Sequence, residues 1–230
     1  MSSLPLCQTV PSPRQTTPTA AHQLLLVPVE DPERGSLQAF IQQGFAEHYQ
    51  ALIPDFMPQL LGVRSADGWL AALGIRFAAS ARLFTEGYLQ SPAEQVLQQN
   101  GISTRREEIA EIGHLLAVNR QALMQLFVLM AQSLHQLGLT RLLFSATRDV
   151  QLLLKRHGIE LTDLGAADPA CLGEHASLWG SYYQTQPRVC SLSLAQVAQR
   201  LGQDAKLQAL IHQHWPDLHH LVAELQEVRP

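Results

Sequence analysis

The sequence predicts an α/β fold: a mixed β-sheet with crossover helices, followed by a helical C-terminal extension. Extended apolar runs alternate with segments whose apolar residues recur at helical spacing. A hairpin signal at Asp67-Gly68 lies among those runs, so the sheet cannot be all parallel. After Ser193 the chain turns helical and Gln-rich to its end.

The elements follow in order. Residues 1–20 are rich in Pro, Ser and Thr (Pro5, Pro11, Pro13, Pro18) and predict a disordered tail. The α/β domain occupies 21–193 and the helical extension 194–230. His22 to Val29 predicts the first strand. Leu37, Phe40, Ile41, Phe45, Tyr49 and Leu52 predict a helix over about 32–52. Met57 to Val63 and Trp69 to Phe77 are the arms of the hairpin. Ser91-Pro92-Ala93-Glu94 predicts a short helix, with Ser91 as cap and Glu94 completing a capping box.

Glu108 to Val118 is the expected central strand. Leu123, Leu126, Phe127, Met130, Leu134 and Leu137 then mark a long buried helix closed by Gly138. Arg141 to Thr147 predicts a strand, Arg148 to His157 a helix, and Ile159 to Leu164 a further strand. Ser193 and Gln196 predict a capping box at the start of the extension. The expected order is β–α–β–β–α–β–α–β–α–β.

Composition narrows the function. The chain has 230 residues, 46% of them apolar, and a formal charge of −4 with no basic block. Nucleic-acid binding and attraction to an anionic membrane have no electrostatic support. Cys7, Cys171 and Cys190 are odd in number and form no CxxC, which argues against a disulfide framework or a thiolate zinc site. No secretory signal and no run of roughly 18 apolar residues occurs. The expectation is a cytoplasmic protein without stable membrane insertion. His212, His214, His219 and His220 include no i, i+4 pair and are interrupted by Pro216, so no metal is expected. No G-x-S-x-G elbow occurs.

The stretch Glu111-Ile112-Gly113-His114-Leu115-Leu116-Ala117-Val118 carries the chemistry. It places an acidic residue and a His on a strand that leads, through Asn119-Arg120-Gln121, into a helix whose first N–H groups can hold an anion. That suggests acyl or phosphate-ester chemistry.

Four blocks together resemble a known family: Leu83–Leu89 with Ser91–Glu94, Glu111–Ala117, Leu142–Thr147, and Leu164–Asp168 followed by Trp179–Tyr183 and Pro187–Val189. Over residues 22–192 the chain resembles the bacterial thermostable hemolysin family. That family is similar to the acyl-CoA N-acyltransferase (GNAT-like) fold and, more distantly, to acyl-homoserine-lactone synthases. The resemblance implies a splayed central sheet, with a pantetheine arm between the central strand and the next. The donor it implies is an acyl-CoA or a phosphopantetheine-linked acyl group on a carrier protein. Its pyrophosphate would meet Val118, Asn119, Arg120, Gln121 and Ala122. The chain departs from the family at His114, where Asn is usual, and at 119–122, where a Gly-containing loop is usual. A bulkier loop keeps backbone farther from a pyrophosphate, and a carrier-bound donor needs that loop less.

Acyl transfer to an amine needs a proton acceptor, and Glu111 is the leading candidate. Its alternative is a strand-end Glu paired with Arg105 or Arg106. His114 stands three residues on, so both reach one site only across a bulge, which Gly113 permits. Glu86, in an apolar setting, could hold the acceptor amine or form a structural salt bridge. Thr147, with Ser145, ends a strand where ligands gather, or caps the next helix. Asp168 could bind substrate, cap, or pair with Arg188. Trp179, Tyr182 and Tyr183 offer aromatic and hydroxyl groups, with Tyr182 as candidate acid for the leaving thiolate; core packing is the alternative. The function expected is transfer of an acyl group to an amine of a small metabolite. The alternatives are a membrane-active hemolysin and a non-catalytic partner in a biosynthetic cluster.

Overall fold

The structure, a computed structural model, describes residues 22–230; the expected tail and Cys7 lie outside them. Seven strands form one sheet in the order β1-β2-β3-β4-β5-β7-β6. Here β1 is Gln23–Val27, β2 Gln59–Ser65, β3 Gly68–Phe77, β4 Ile109–Ala117, β5 Arg141–Ala146, β6 Thr162–Ala166 and β7 Arg188–Ser193. All neighbouring pairs are antiparallel except β4 and β5. The sheet is mixed, as the hairpin signal required.

The two faces follow the period of two along each strand. Leu61 and Leu73 pack towards helix α4 (Arg120–Gln136), whereas Leu60 and Ala72 pack with helix α1 (Arg34–Tyr49). α4 is buried almost all round because α6 (Leu194–Leu201) and α8 (Trp215–Val228) cover its outer side, leaving Leu218, Leu221 and Leu225 in the core. α1 touches β4 at Gly44, where a Cβ would stand 2.2 Å from a methyl of Leu116. Only a residue without a side chain allows that approach.

The helical extension is tied in by a polar chain. His22 Nδ1 meets Gln125 Oε1 at 3.1 Å, Gln125 Nε2 meets His214 Nε2 at 3.0 Å, and His214 Nδ1 meets Asp217 Oδ2 at 2.9 Å. With His22 Nδ1, Gln125 Nε2 and His214 Nδ1 donating in turn and His214 Nε2 accepting, buried Gln125 is satisfied on both sides. Of the C-terminal histidines, His214 is thus a buried structural link, while His212, His219 and His220 are exposed. Among the described residues no cluster of three or more His, Cys, Asp or Glu could hold a metal ion.

Three expectations are corrected. First, a seventh strand, β7, lies between β5 and β6, and β6 itself starts at Thr162 rather than Ile159. Its run Arg188–Ser193 is short and lacks alternation, because β7 is buried between neighbours on both sides. Secondly, Thr85–Leu89 is a one-turn helix, α2, that no periodicity announced. Thirdly, the capping box at Ser91 does not form. α3 (Ala93–Gln99) has Pro92 at its N-cap without a side-chain bond; the Ala93 N–H goes to Glu86, and Glu94 pairs with Arg106. The Ser193 hydroxyl does accept the Gln196 N–H, at 3.3 Å.

Candidate active site

β4 and β5 pair at only three positions, Ile109↔Arg141, Ala110↔Leu142 and Glu111↔Leu143, and then part. β5 continues along β7 as far as Ala146↔Arg188, while β4 continues along β3. The divergence begins where β4 bulges. The register jumps from Gly74↔Gly113 to Ala72↔Leu116, so two residues, His114 and Leu115, oppose Leu73 alone. A bulge bends its strand and sharpens the twist. The bulge that Gly113 was expected to permit does form, and the residue with positive φ in it is His114 (φ 55°). Gly74 leaves room for it: a Cβ there would lie 2.9 Å from His114 Cδ2 and 2.7 Å from Met57 Cβ.

The parted strands enclose a cavity of about 310 Å³. Its walls come from β4, the end of β5, α1, α2 and the 50–58 segment, with an aromatic side built from Phe45, Tyr49, Phe84, Tyr88, Trp179 and Tyr182. Four ionisable side chains other than tyrosines border it: Asp55, Arg76, Glu111 and His114.

Glu111 is 1% exposed. Its Oε2 accepts the Phe84 N–H at 2.8 Å and its Oε1 the Thr85 N–H at 2.6 Å, at the start of α2. Burial pushes its pKa up, and the Thr85 and Phe84 hydrogen bonds and the Arg76 charge only partly offset this. Neither Arg105 nor Arg106 reaches it; those pair with Glu107 and Glu108, and with Glu86 and Glu94.

His114 cannot serve as a base. Its Nε2 accepts the Met57 N–H at 3.2 Å, which fixes the proton of the neutral ring on Nδ1. That Nδ1 is buried without a partner. Burial, then the charges of Arg76 and Arg34, pull the pKa down to about 4. The bulge brings His114 to the same cavity as Glu111, where it holds the Met57 backbone of the 50–58 segment that forms part of the wall.

The Tyr182 hydroxyl lies 3.1 Å from Ser145 Oγ and donates to the Ser145 carbonyl at 3.4 Å. Burial raises its pKa, so it stays protonated. Trp179 packs edge-on to Phe45 and tilted against Phe84 and Tyr182. Thr147 borders the cavity and also caps α5 (Arg148–Arg156), accepting the Val150 N–H at 3.4 Å.

Other expected site residues lie elsewhere. Glu86 is buried outside the cavity. Burial would raise its pKa, but Arg106 at 2.6 Å and the N–H groups of Ala93 and Leu83 outweigh this and hold it low. All its acceptor capacity serves structure, so it cannot receive an amine. Asp168 caps the following 3₁₀ segment through the Ala170 N–H, and Arg188 pairs with Asp163 instead. The Tyr183 hydroxyl is bonded to that of Tyr88 at 2.6 Å, and Tyr183 borders a separate surface groove. Val118, Asn119, Arg120, Gln121 and Ala122 do not border the cavity. Asn119 caps α4, its side chain taking the Ala122 N–H at 2.9 Å, and Arg120 to Ala122 are already helix. One of the N–H groups expected to meet a pyrophosphate, that of Ala122, is thus partnered from within.

Sequence reasoning missed Arg76 and Asp55. An arginine between Ile75 and Phe77, in an otherwise apolar strand, was the available signal for the first. Asp55, in an irregular segment, gave none.

The thermostable hemolysin family matches residues 27–198 of the chain. No curated protein matches the chain in sequence. Among solved structures, FeeM, an N-acyl amino acid synthase from uncultured soil microbes, is similar with a TM-score of 0.55 at 12% identity, over 80% of this chain and 97% of that one. The AHL synthase LasI is similar at 0.53 and 11% identity, over 76% and 91%. BjaI, a CoA-dependent acyl-homoserine lactone synthase, is similar at 0.50 and 13% identity, over 79% and 90%. At such identities the likeness establishes the fold, an N-acyltransferase-like one with a splayed sheet. With three quarters of its length matched, the chain is a member of the thermostable hemolysin family.

Proposed function

We propose that the protein is an N-acyltransferase that moves an acyl group from a CoA or carrier-protein thioester to an amine of a small metabolite. The observation that carries this reading is the early parting of β4 and β5, which opens a largely apolar cavity beside a single buried carboxylate. An acyl chain suits the aromatic side, and a pantetheine arm suits the slot between the strands. Proteins of similar fold, an N-acyl amino acid synthase and a CoA-dependent acyl-homoserine lactone synthase, support the same class.

The chemistry would run through Glu111. The neutral amine attacks the thioester carbonyl; the C–N bond forms and the C–S bond breaks. Glu111 takes a proton from nitrogen and returns it to the departing sulfur, so the net reaction moves one proton from N to S. A raised carboxyl pKa suits both halves of that exchange. Tyr182 holds its proton too firmly to be the acid and serves as a hydrogen-bond donor instead. Most acceleration would come from holding amine and thioester together. Asn119, in satisfying the Ala122 N–H, favours a donor that relies little on its pyrophosphate, such as a carrier-bound one.

The test offers purified protein acyl-CoA and acyl-carrier thioesters with a panel of amines. Amide and free thiol should appear in equal amounts, and Glu111→Gln should abolish both. Thiol release with no amine present, unaffected by Glu111→Gln, would overturn the proposal.

A further inference from the structure

Arg76 is the arginine of the cavity, and its one ion pair, to Glu111, is at the limit of contact. Its side chain is 23% exposed and borders the cavity. Among the described residues it makes one hydrogen bond, from Nη1 to the Arg82 carbonyl at 3.3 Å, leaving most of its five N–H donors unspent. Its ion pair with Glu111 is a long one. Nη1 stands 4.0 Å from Glu111 Oε2, and both Glu111 oxygens accept from α2. A partly desolvated guanidinium with a free donor fork is suited to a planar anion.

The neighbourhood says which anion. Arg76 and Glu111 are register partners across β3 and β4, so their side chains share one face of the sheet side by side. An amine that gives its proton to Glu111 is therefore held next to Arg76. Any anionic group of the same molecule that reaches Arg76 must lie close to that nitrogen.

We infer that Arg76 anchors a carboxylate of the acceptor, and that the acceptor is an α-amino acid. This rests on the acyl-transfer reading above for the role of the amine. The carboxylate site itself can be tested without turnover.

The experiment measures binding of free α-amino acids, their carboxamides and their decarboxylated amines to the full chain by calorimetry. Phosphopantetheine serves as the donor-side anion. Amino acids should bind roughly 10- to 100-fold more tightly than their carboxamides. Arg76→Gln should bring acids down to the level of amides, and Arg76→Lys should recover part of the difference. Phosphopantetheine binding should be unchanged in both variants. Equal binding of acids and amides to the unaltered protein overturns the inference without need of any variant. A loss in Arg76→Gln that falls on phosphopantetheine instead also overturns it. If acids bind through Arg76 but no thioester is ever consumed, the carboxylate site stands and the acyl-transfer reading falls.

Discussion

Glu111 accepts the backbone N–H of Thr85 at 2.6 Å, joining residues 26 positions apart in the chain. With the Phe84 N–H on its other oxygen, one carboxylate caps the one-turn helix α2 and fixes it to the central strand. Phe84 and Tyr88, carried on or beside that turn, form part of the cavity wall. The group best placed to move a proton thus also holds the wall, and the two N–H donors aim it.

Replacing Glu111 with Gln should lower kcat/KM by about 10²- to 10⁴-fold. In the unaltered protein the acid limb of the kcat/KM profile for the proposed transfer should lie above the ordinary glutamate range, since burial raises this carboxyl. The limb should vanish in the variant. An acid limb that persists unmoved would assign the titration to another group.

His114 should make the protein acid-sensitive. Its folded pKa, pulled down to about 4, lies below the value of 6.5 for a free imidazole. Between those values the unfolded chain binds a proton that the folded one refuses. Stability is therefore complete above pH 6.5 and is lost as pH falls towards 4, by up to about 3 kcal/mol. Urea midpoints measured across that range should slope less in His114→Gln; equal slopes would show that His114 protonates freely in the fold.

Glu86→Gln tests a structural role. Removing a buried charge that faces Arg106 should cost about 3 kcal/mol. Denaturation should register that loss, while KM for the amine acceptor in the folded fraction stays unchanged. A specific rise in the acceptor's KM would restore Glu86 to the site.

Gly74→Ala should disturb the bulge, because its Cβ would press on Met57 and His114. Overpacking of this kind costs about 1–3 kcal/mol. Hydrogen exchange should quicken at the Met57 amide, whose acceptor is the displaced imidazole. Protection equal to the unaltered protein would mean the ring is held by other contacts.

Local rules served well where a local pattern sufficed. α4 was evident from its apolar spacing and Gly138, and the β2–β3 hairpin from Asp67-Gly68. Thr147 could be named as a cap because capping is a property of a few adjacent residues. β7 was missed because a short strand buried on both sides has no alternation to display. Glu86 looked available from its apolar neighbours, yet its partner Arg106 is 20 residues away. The same limit hid Arg76, whose significance depends on lying across from Glu111.

By itself, the sequence determined the mixed α/β class, the hairpin, the long buried helix and the central acidic strand, since each is written in residues close together in the chain. Tertiary structure alone decided which carboxylate faces the cavity and which is spent on an arginine. It also decided that His114 is a neutral acceptor and that the strands part after three pairs. The physical reason is that charge state, accessibility and hydrogen-bond partners are set by groups distant in sequence, and a chain brings those together only when it folds.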